Sequence, residues 1–122
     1  MAGTRWVRLD VDYFGNIKTL RAGLQGRALH IASICYVARH LTDGAIPDEA
    51  IGQILGDAGV PRRAVSSVVN AGLWVPSIGG SGFVLHDYLT INPSRAEVER
   101  DREGWRDRQR RFRESRRQSA EE

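Results

Sequence analysis

Between residues 43 and 88, glycine and proline punctuate the chain so closely that only short elements fit between them, and their order leaves few folds open. Thr42-Asp43-Gly44 reads as a turn, Ala45-Ile46 has room only for an edge strand, and Pro47 sits where a helix starts without needing its missing N–H. Ile51, Ile54 and Leu55 recur at the spacing of one apolar helix stripe, and Gly56 and Gly59 stop that helix around a tight turn at Asp57-Ala58. A second helix opens at Pro61 and spans residues 61–71. Val65, Val68 and Val69 turn inward on it, which leaves Arg62, Arg63, Ser66, Ser67 and Asn70 on the outer side. Gly72 ends this helix, Leu73-Trp74-Val75 leads into a strand, Gly79-Gly80-Ser81-Gly82 makes a loop tip, and Phe83-Val84-Leu85 returns. Strand, helix, helix, strand, glycine loop, strand is the order of a winged helix-turn-helix, a mainly α, α+β fold.

Residues 6–12 alternate, with Val7, Leu9 and Val11 on one side, and are expected to form a half-buried strand after a short leader. Asn16 caps a turn of helix over residues 17–20, and residues 21–23 separate it from the longest helix of the body, residues 24–41. Apolar residues occupy nearly the whole circumference of that helix, the pattern of a hub covered by its neighbours. Past the hairpin, residues 86–92 close the body. Ser94 with Glu97 forms a capping box that opens a long charged helix over residues 93–117, and residues 118–122 are expected to fray. Ile91, Val98, Trp105 and Phe112 recur every seven residues as one narrow stripe. Pairs such as Glu99 with Arg102, Glu103 with Arg106 and Asp107 with Arg111 stand at helical spacing, each contributing ~0.2 to 0.5 kcal/mol. The division expected is therefore a domain at 1–92 and a charged helix after it.

A chain of 122 residues, 41% hydrophobic, holds one modest core. The formal net charge is only +3, but its distribution is uneven: residues 106–117 carry seven arginines against Asp107 and Glu114. Arginine suits phosphate and stacking contacts, and a GC-rich genome gives the same abundance, so composition leaves both origins open. The single Cys35 excludes an internal disulfide, no secretory signal is read, and no apolar run approaches the ~20 residues of a membrane span. A soluble protein of the host-cell cytoplasm is expected, with no membrane partner.

The outer face of residues 61–71 carries the candidate binding groups. In helix-turn-helix proteins the second helix enters the major groove and its first residues reach base edges. Arg62 and Arg63 can each give guanine two hydrogen bonds, Asn70 can pair with adenine or hold a phosphate, and Ser66 and Ser67 let the backbone approach. Arg106, Arg108, Arg110, Arg111, Arg113, Arg116 and Arg117 form the strongest electrostatic signal, set against the alternative of a solvated charged helix. The glycine loop carries no basic residue and reads as a plain hairpin turn. His30, Cys35 and His40 lie five apart on one helix and do not converge on a metal; Asp10 and Asp12 lack a third ligand; His86 and Asp87, adjacent on a strand, point to opposite faces. No phosphate loop, nucleotide fingerprint or nucleophile elbow is present, so neither an enzyme nor a cofactor is expected.

The stretch from Trp6 to Lys18, with Trp6-Val7-Arg8-Leu9 leading to Phe14 and Asn16, resembles the opening of the N-terminal domain of phage replisome organiser proteins. His40-Leu41-Thr42-Asp43-Gly44, Ala71-Gly72-Leu73-Trp74, His86-Asp87-Tyr88 and Pro93-Ser94-Arg95 look like small winged-helix proteins of actinobacterial phages, in which an arginine-rich helix often follows the wing. The resemblance covers residues 5–115. It implies DNA binding in phage or mobile-element replication, with helicase loading done by a separate C-terminal region that residues 1–122 are not expected to supply. Two hypotheses stand. One is a double-stranded DNA binder using residues 61–71 and the arginine tail; the other is an adaptor that docks a host or phage replication protein through Val98, Trp105 and Phe112. Monomer and dimer fit equally.

Overall fold

Trp74 lies at the centre of the body, 1% exposed, with its indole N–H donating to Ser33 Oγ at 3.1 Å. Ser33 is itself fully buried and its hydroxyl donates to the His30 carbonyl at 2.6 Å, so this buried polar pair is satisfied. This contact ties the hairpin to the long helix. The structure, a computed structural model, describes residues 5–121; the leader ahead of Arg5 and the last residue, Glu122, lie outside the described residues. The chain divides into two compact units that part between Asn92 and Pro93.

The body is mainly helical with a small antiparallel sheet. Its elements are α1 (Ile17–His40), β1 (Ala45–Ile46), α2 (Ile51–Ala58), α3 (Arg63–Asn70), β2 (Trp74–Pro76), β3 (Phe83–Leu85) and the single turn α4 (Tyr88–Ile91). Short 3₁₀ turns at Tyr13–Gly15 and Asp48–Ala50 precede α1 and α2. The strand order is β1-β3-β2, with Ala45 opposite Val84, and Trp74 opposite Leu85. Ile46, Trp74 and Leu85 face the core, while Val75 and Val84 face outward. Leu29, Val37, Ile54, Ala64 and Val68, none of them solvent-exposed, complete the interior beneath the sheet. Among the described residues no helix is long and apolar enough to cross a membrane.

Helix α1 bends where the sequence placed its break. Asn16 accepts from the Lys18 N–H at 2.9 Å, as a capping residue does, and Gly23 leaves helical geometry with φ 71° and ψ −177°. That region of backbone space is open essentially to glycine alone, so the Ile17–Ala22 part and the part after Gly23 take separate directions. The hub is not covered all round, however: Leu24 is 79% exposed and Cys35 is also on the surface.

Residues 6–12 form no strand. An alternating run needs a sheet edge to pair with, and β1 and β2, the two edges here, take no further neighbour. Instead the segment is held by side chains. Asn92 accepts from the Arg8 N–H at 2.8 Å and returns a bond to the Arg8 carbonyl at 3.3 Å, and Asp10 accepts from the Asp12 N–H at 2.8 Å in a local turn. Trp6 and Val11 are left exposed.

Two helix ends also differ from the expected ones. Gly56 lies inside α2, and only Gly59, at φ 69°, closes it. Pro61 and Arg62 form the turn that leads into α3, which begins at Arg63. In the hairpin loop, Asp48 accepts from the Gly82 N–H at 3.0 Å and from Ser81 Oγ at 3.2 Å, pinning the loop to the start of α2. Gly82 at φ 77° passes so close to the Ile46 carbonyl that a Cβ there has no space.

The second unit is one helix, α5 (Arg95–Glu121). Ser94 Oγ accepts from the Glu97 N–H at 3.2 Å and lies 3.3 Å from the Glu97 carboxylate, a hydroxyl-to-carboxylate variant of the expected box. Residues 118–121, expected to fray, continue the helix, since no glycine or proline there interrupts it. Its ion pairs include Arg95 with Glu99 at 2.9 Å and Arg110 with Asp107 at 2.7 Å, so Asp107 takes the arginine three residues on.

Candidate nucleic-acid interface

The inward face of α3 is not the one that counting valines gives. Ala64 and Val68 are fully buried and Ala71 nearly so, whereas Val65 and Val69 are only partly covered. At 100° per residue this turns the buried centre by roughly 80° about the helix axis. The cause is a close crossing with α1. A Cβ on Gly26 would stand 3.2 Å from Ser67 Cβ and 3.7 Å from Val68 Cγ1, so α3 presents small side chains to α1 and carries its bulkier valines to the flank.

That rotation divides the five residues read as a recognition edge. Arg62, Ser66 and Asn70, four apart, are exposed and form one ridge along the outer side. Arg63 is also exposed, but its Nε donates to Gln25 Oε1 at 3.4 Å, so it leans towards α1. Ser67 is half-buried at the Gly26 crossing and does not belong to the ridge; its small size serves helix packing. The ridge is bounded on its far side by Val65 and Val69, both partly buried. It offers a guanidinium, a hydroxyl and a carboxamide in line, a donor-rich set matched to base edges and phosphate oxygens.

On α5 all seven arginines from Arg106 to Arg117 are exposed. Helix geometry sorts them: Arg106, Arg110, Arg113 and Arg117 fall within an arc of roughly 60°, while Arg108, Arg111 and Arg116 lie on other sides. Arg116 is stationed over the Phe112 ring, 5.8 Å from its centroid. Trp105 and Phe112 are 58% and 59% exposed, so the apolar stripe keeps two open aromatics. Val98, seven residues ahead of Trp105 in the stripe, is buried and offers no surface to a partner.

Other polar groups are organised in ways the spacing did not reveal. Tyr13 Oη lies 2.7 Å from His30 Nδ1 and the two rings stack at 14°. Burial pushes the Tyr13 phenol up to about 12 and the His30 imidazole down to about 4, so both stay neutral near pH 7. The pair stands on the wall of a cleft of about 510 Å³ whose rim mixes Arg8 and Lys18 with Asp10 and Asp12, so it favours no one sign of ligand charge. No sequence signal marks this pair, because its members are seventeen residues apart and meet only through the fold. His86 and Asp87 do not point apart: β3 ends at Leu85, Asp87 adopts φ 62°, and its carboxylate comes 3.0 Å from His86 Nε2. Both side chains are largely exposed, and the pair is a surface contact. Cys35 is exposed, and His40 packs on Tyr36 with ring centroids 4.4 Å apart. Among the described residues, no three His, Cys, Asp or Glu side chains gather as metal ligands do.

No protein-family model matches the chain, and neither a curated protein nor a solved structure matches it.

Proposed function

We propose that residues 5–92 are a winged helix-turn-helix that binds double-stranded DNA, with α3 as the recognition helix and the arginines of α5 as phosphate contacts. The observation that carries this reading is the exposed ridge of Arg62, Ser66 and Asn70, on a short helix fixed from beneath by Ala64 and Val68. A rigidly held helix with a polar, carboxylate-free outer side is what a major groove accepts. The order of strand, two helices and hairpin supports the same reading. The hairpin loop, without a basic residue and tied back by Asp48, has no groove-reading part in it. The resemblance to phage replisome organisers adds the setting: a phage or mobile element, in replication initiation or its regulation, with no enzymatic step and no cofactor.

The test is an anisotropy titration on duplex DNA. Arg62→Ala with Arg63→Ala is expected to lower affinity for preferred sequences, each lost base contact being worth about 1–3 kcal/mol. Removal of residues 106–122 is expected to weaken all duplexes alike and flatten the salt dependence by ~0.9 per phosphate released. If neither change alters the titration, the reading is wrong. A second reading, an adaptor for a replication protein, is favoured by the exposure of Trp105 and Phe112 on a charged helix. It predicts that Trp105→Ala with Phe112→Ala abolishes capture of that partner while leaving DNA binding intact.

A further inference from the structure

Acidic residues avoid two stretches of the body. Residues 13–42 and 58–86 contain neither Asp nor Glu, and these stretches hold α1 and α3. The two helices pack side by side with opposed directions, and three contacts fix the alignment. The Lys18 stem lies over Gly72, with its Cε 3.9 Å from where a Cβ would stand; Gly26 meets Ser67 and Val68; Gln25 meets Arg63. Lys18 of α1 therefore stands at the end of the helix proposed to read bases, beside the cleft whose rim also holds Asp10 and Asp12.

We propose that Lys18 and Arg21 form a phosphate-binding ledge alongside α3, holding the sugar-phosphate backbone at the edge of the groove that α3 occupies. The inference rests on the duplex-binding reading and adds the part of α1 that orients the recognition helix. Two observations bear on both residues and a third on Lys18 alone. Neither makes an ion pair among the described residues, so both charges are available. Their segment is anchored: Asn16 caps the Lys18 N–H, and Thr19 Oγ1 donates to the Tyr13 and Asn16 carbonyls. Gly72, at φ 83° and without a side chain, gives the Lys18 stem a flat seat at the end of α3. Arg27, the next basic residue of α1, is engaged elsewhere; its guanidinium sits 5.8 Å from the Phe14 ring centroid and reaches the Thr19 carbonyl at 3.4 Å. Lys18 is the sole lysine of the chain. An ammonium on a stem laid along the protein supplies a point charge to a phosphate without demanding the planar geometry that arginine brings to base edges. The ledge is thus a register device, blind to sequence.

The test compares the full chain with Lys18→Gln plus Arg21→Gln, two surface changes that far-UV circular dichroism should leave untouched, on duplexes of several sequences over a salt series. The expected result is an equal fold-loss of affinity on every sequence and a salt slope shallower by about 1.8, for two phosphates. Lys18→Arg plus Arg21→Lys, which keeps the charges, should restore the slope. An unchanged slope in the Gln variant, with Arg62→Ala still weakening binding, overturns the ledge and leaves the α3 reading standing. A loss confined to preferred sequences also overturns it, since that is the mark of base contact. A wild-type chain with no salt-dependent duplex binding overturns both.

Discussion

Asn70 and Arg110 are both polar residues exposed on helices, yet they are held in different ways. Asn70 stands on an eight-residue helix too short to persist alone, kept in place because Ala64 and Val68 are locked into the core beneath it. Arg110 stands on a 27-residue helix and is steadied by Asp107 one turn away, with no core beneath it. The body fixes positions through distant parts of the chain, and the tail fixes them through neighbours. Recognition that depends on placement to a fraction of an ångström belongs to the first kind of support, and attraction that depends on charge alone tolerates the second.

The contrast breaks most visibly at Trp74. Trp74→Ala removes the largest fully buried side chain and the N–H that Ser33 Oγ accepts, at an expected cost of about 3–5 kcal/mol. Urea unfolding should show the body lost cooperatively; a midpoint close to wild type would mean that the core is not centred there. Acid is the next largest effect. His30 has its folded-state value near 4 against an ordinary 6.5, so the unfolded chain takes up the proton first as pH falls. Stability is therefore whole above pH 6.5, declines between 6.5 and 4 by about 3 kcal/mol, and is flat in this respect below that. Melts recorded across that window should lose most of the slope in His30→Gln. Gly23→Ala should cost about 1–3 kcal/mol by forcing a Cβ into φ 71°. In the tail, Asp107→Asn should change helicity by only a few tenths of a kcal/mol, about 0.2–0.5, detectable in ellipticity and absent from the body's unfolding midpoint.

How far the sequence could be read follows the same line between local and distant causes. Turns and hairpin were legible because Gly59, Gly72 and the loop glycines act where they stand. The break before Leu24 was visible for the same reason. The expected strand at residues 6–12 was not, because a strand exists only if an edge is free to pair with it, and that edge is set elsewhere. Bulk does not predict the buried face of α3: valines outscore alanines in apolarity, but a crossing at Gly26 selects the smaller residue. Ala22 and Gly26, four apart on α1, were the available hint of a close approach. The Asp87 turn that swings its carboxylate onto His86 has a positive φ that no flanking residue announces.

The central claim is that Arg62 and Asn70 face a base sequence rather than solvent alone. Selecting bound fragments from random duplex DNA with the wild-type chain, and again with Arg62→Ala plus Asn70→Ala, tests it directly. Enrichment of a shared motif by the wild type, lost in the variant while salt-dependent retention of bulk DNA persists, is the predicted result. The same motif recovered by both proteins, or none by either, would contradict it.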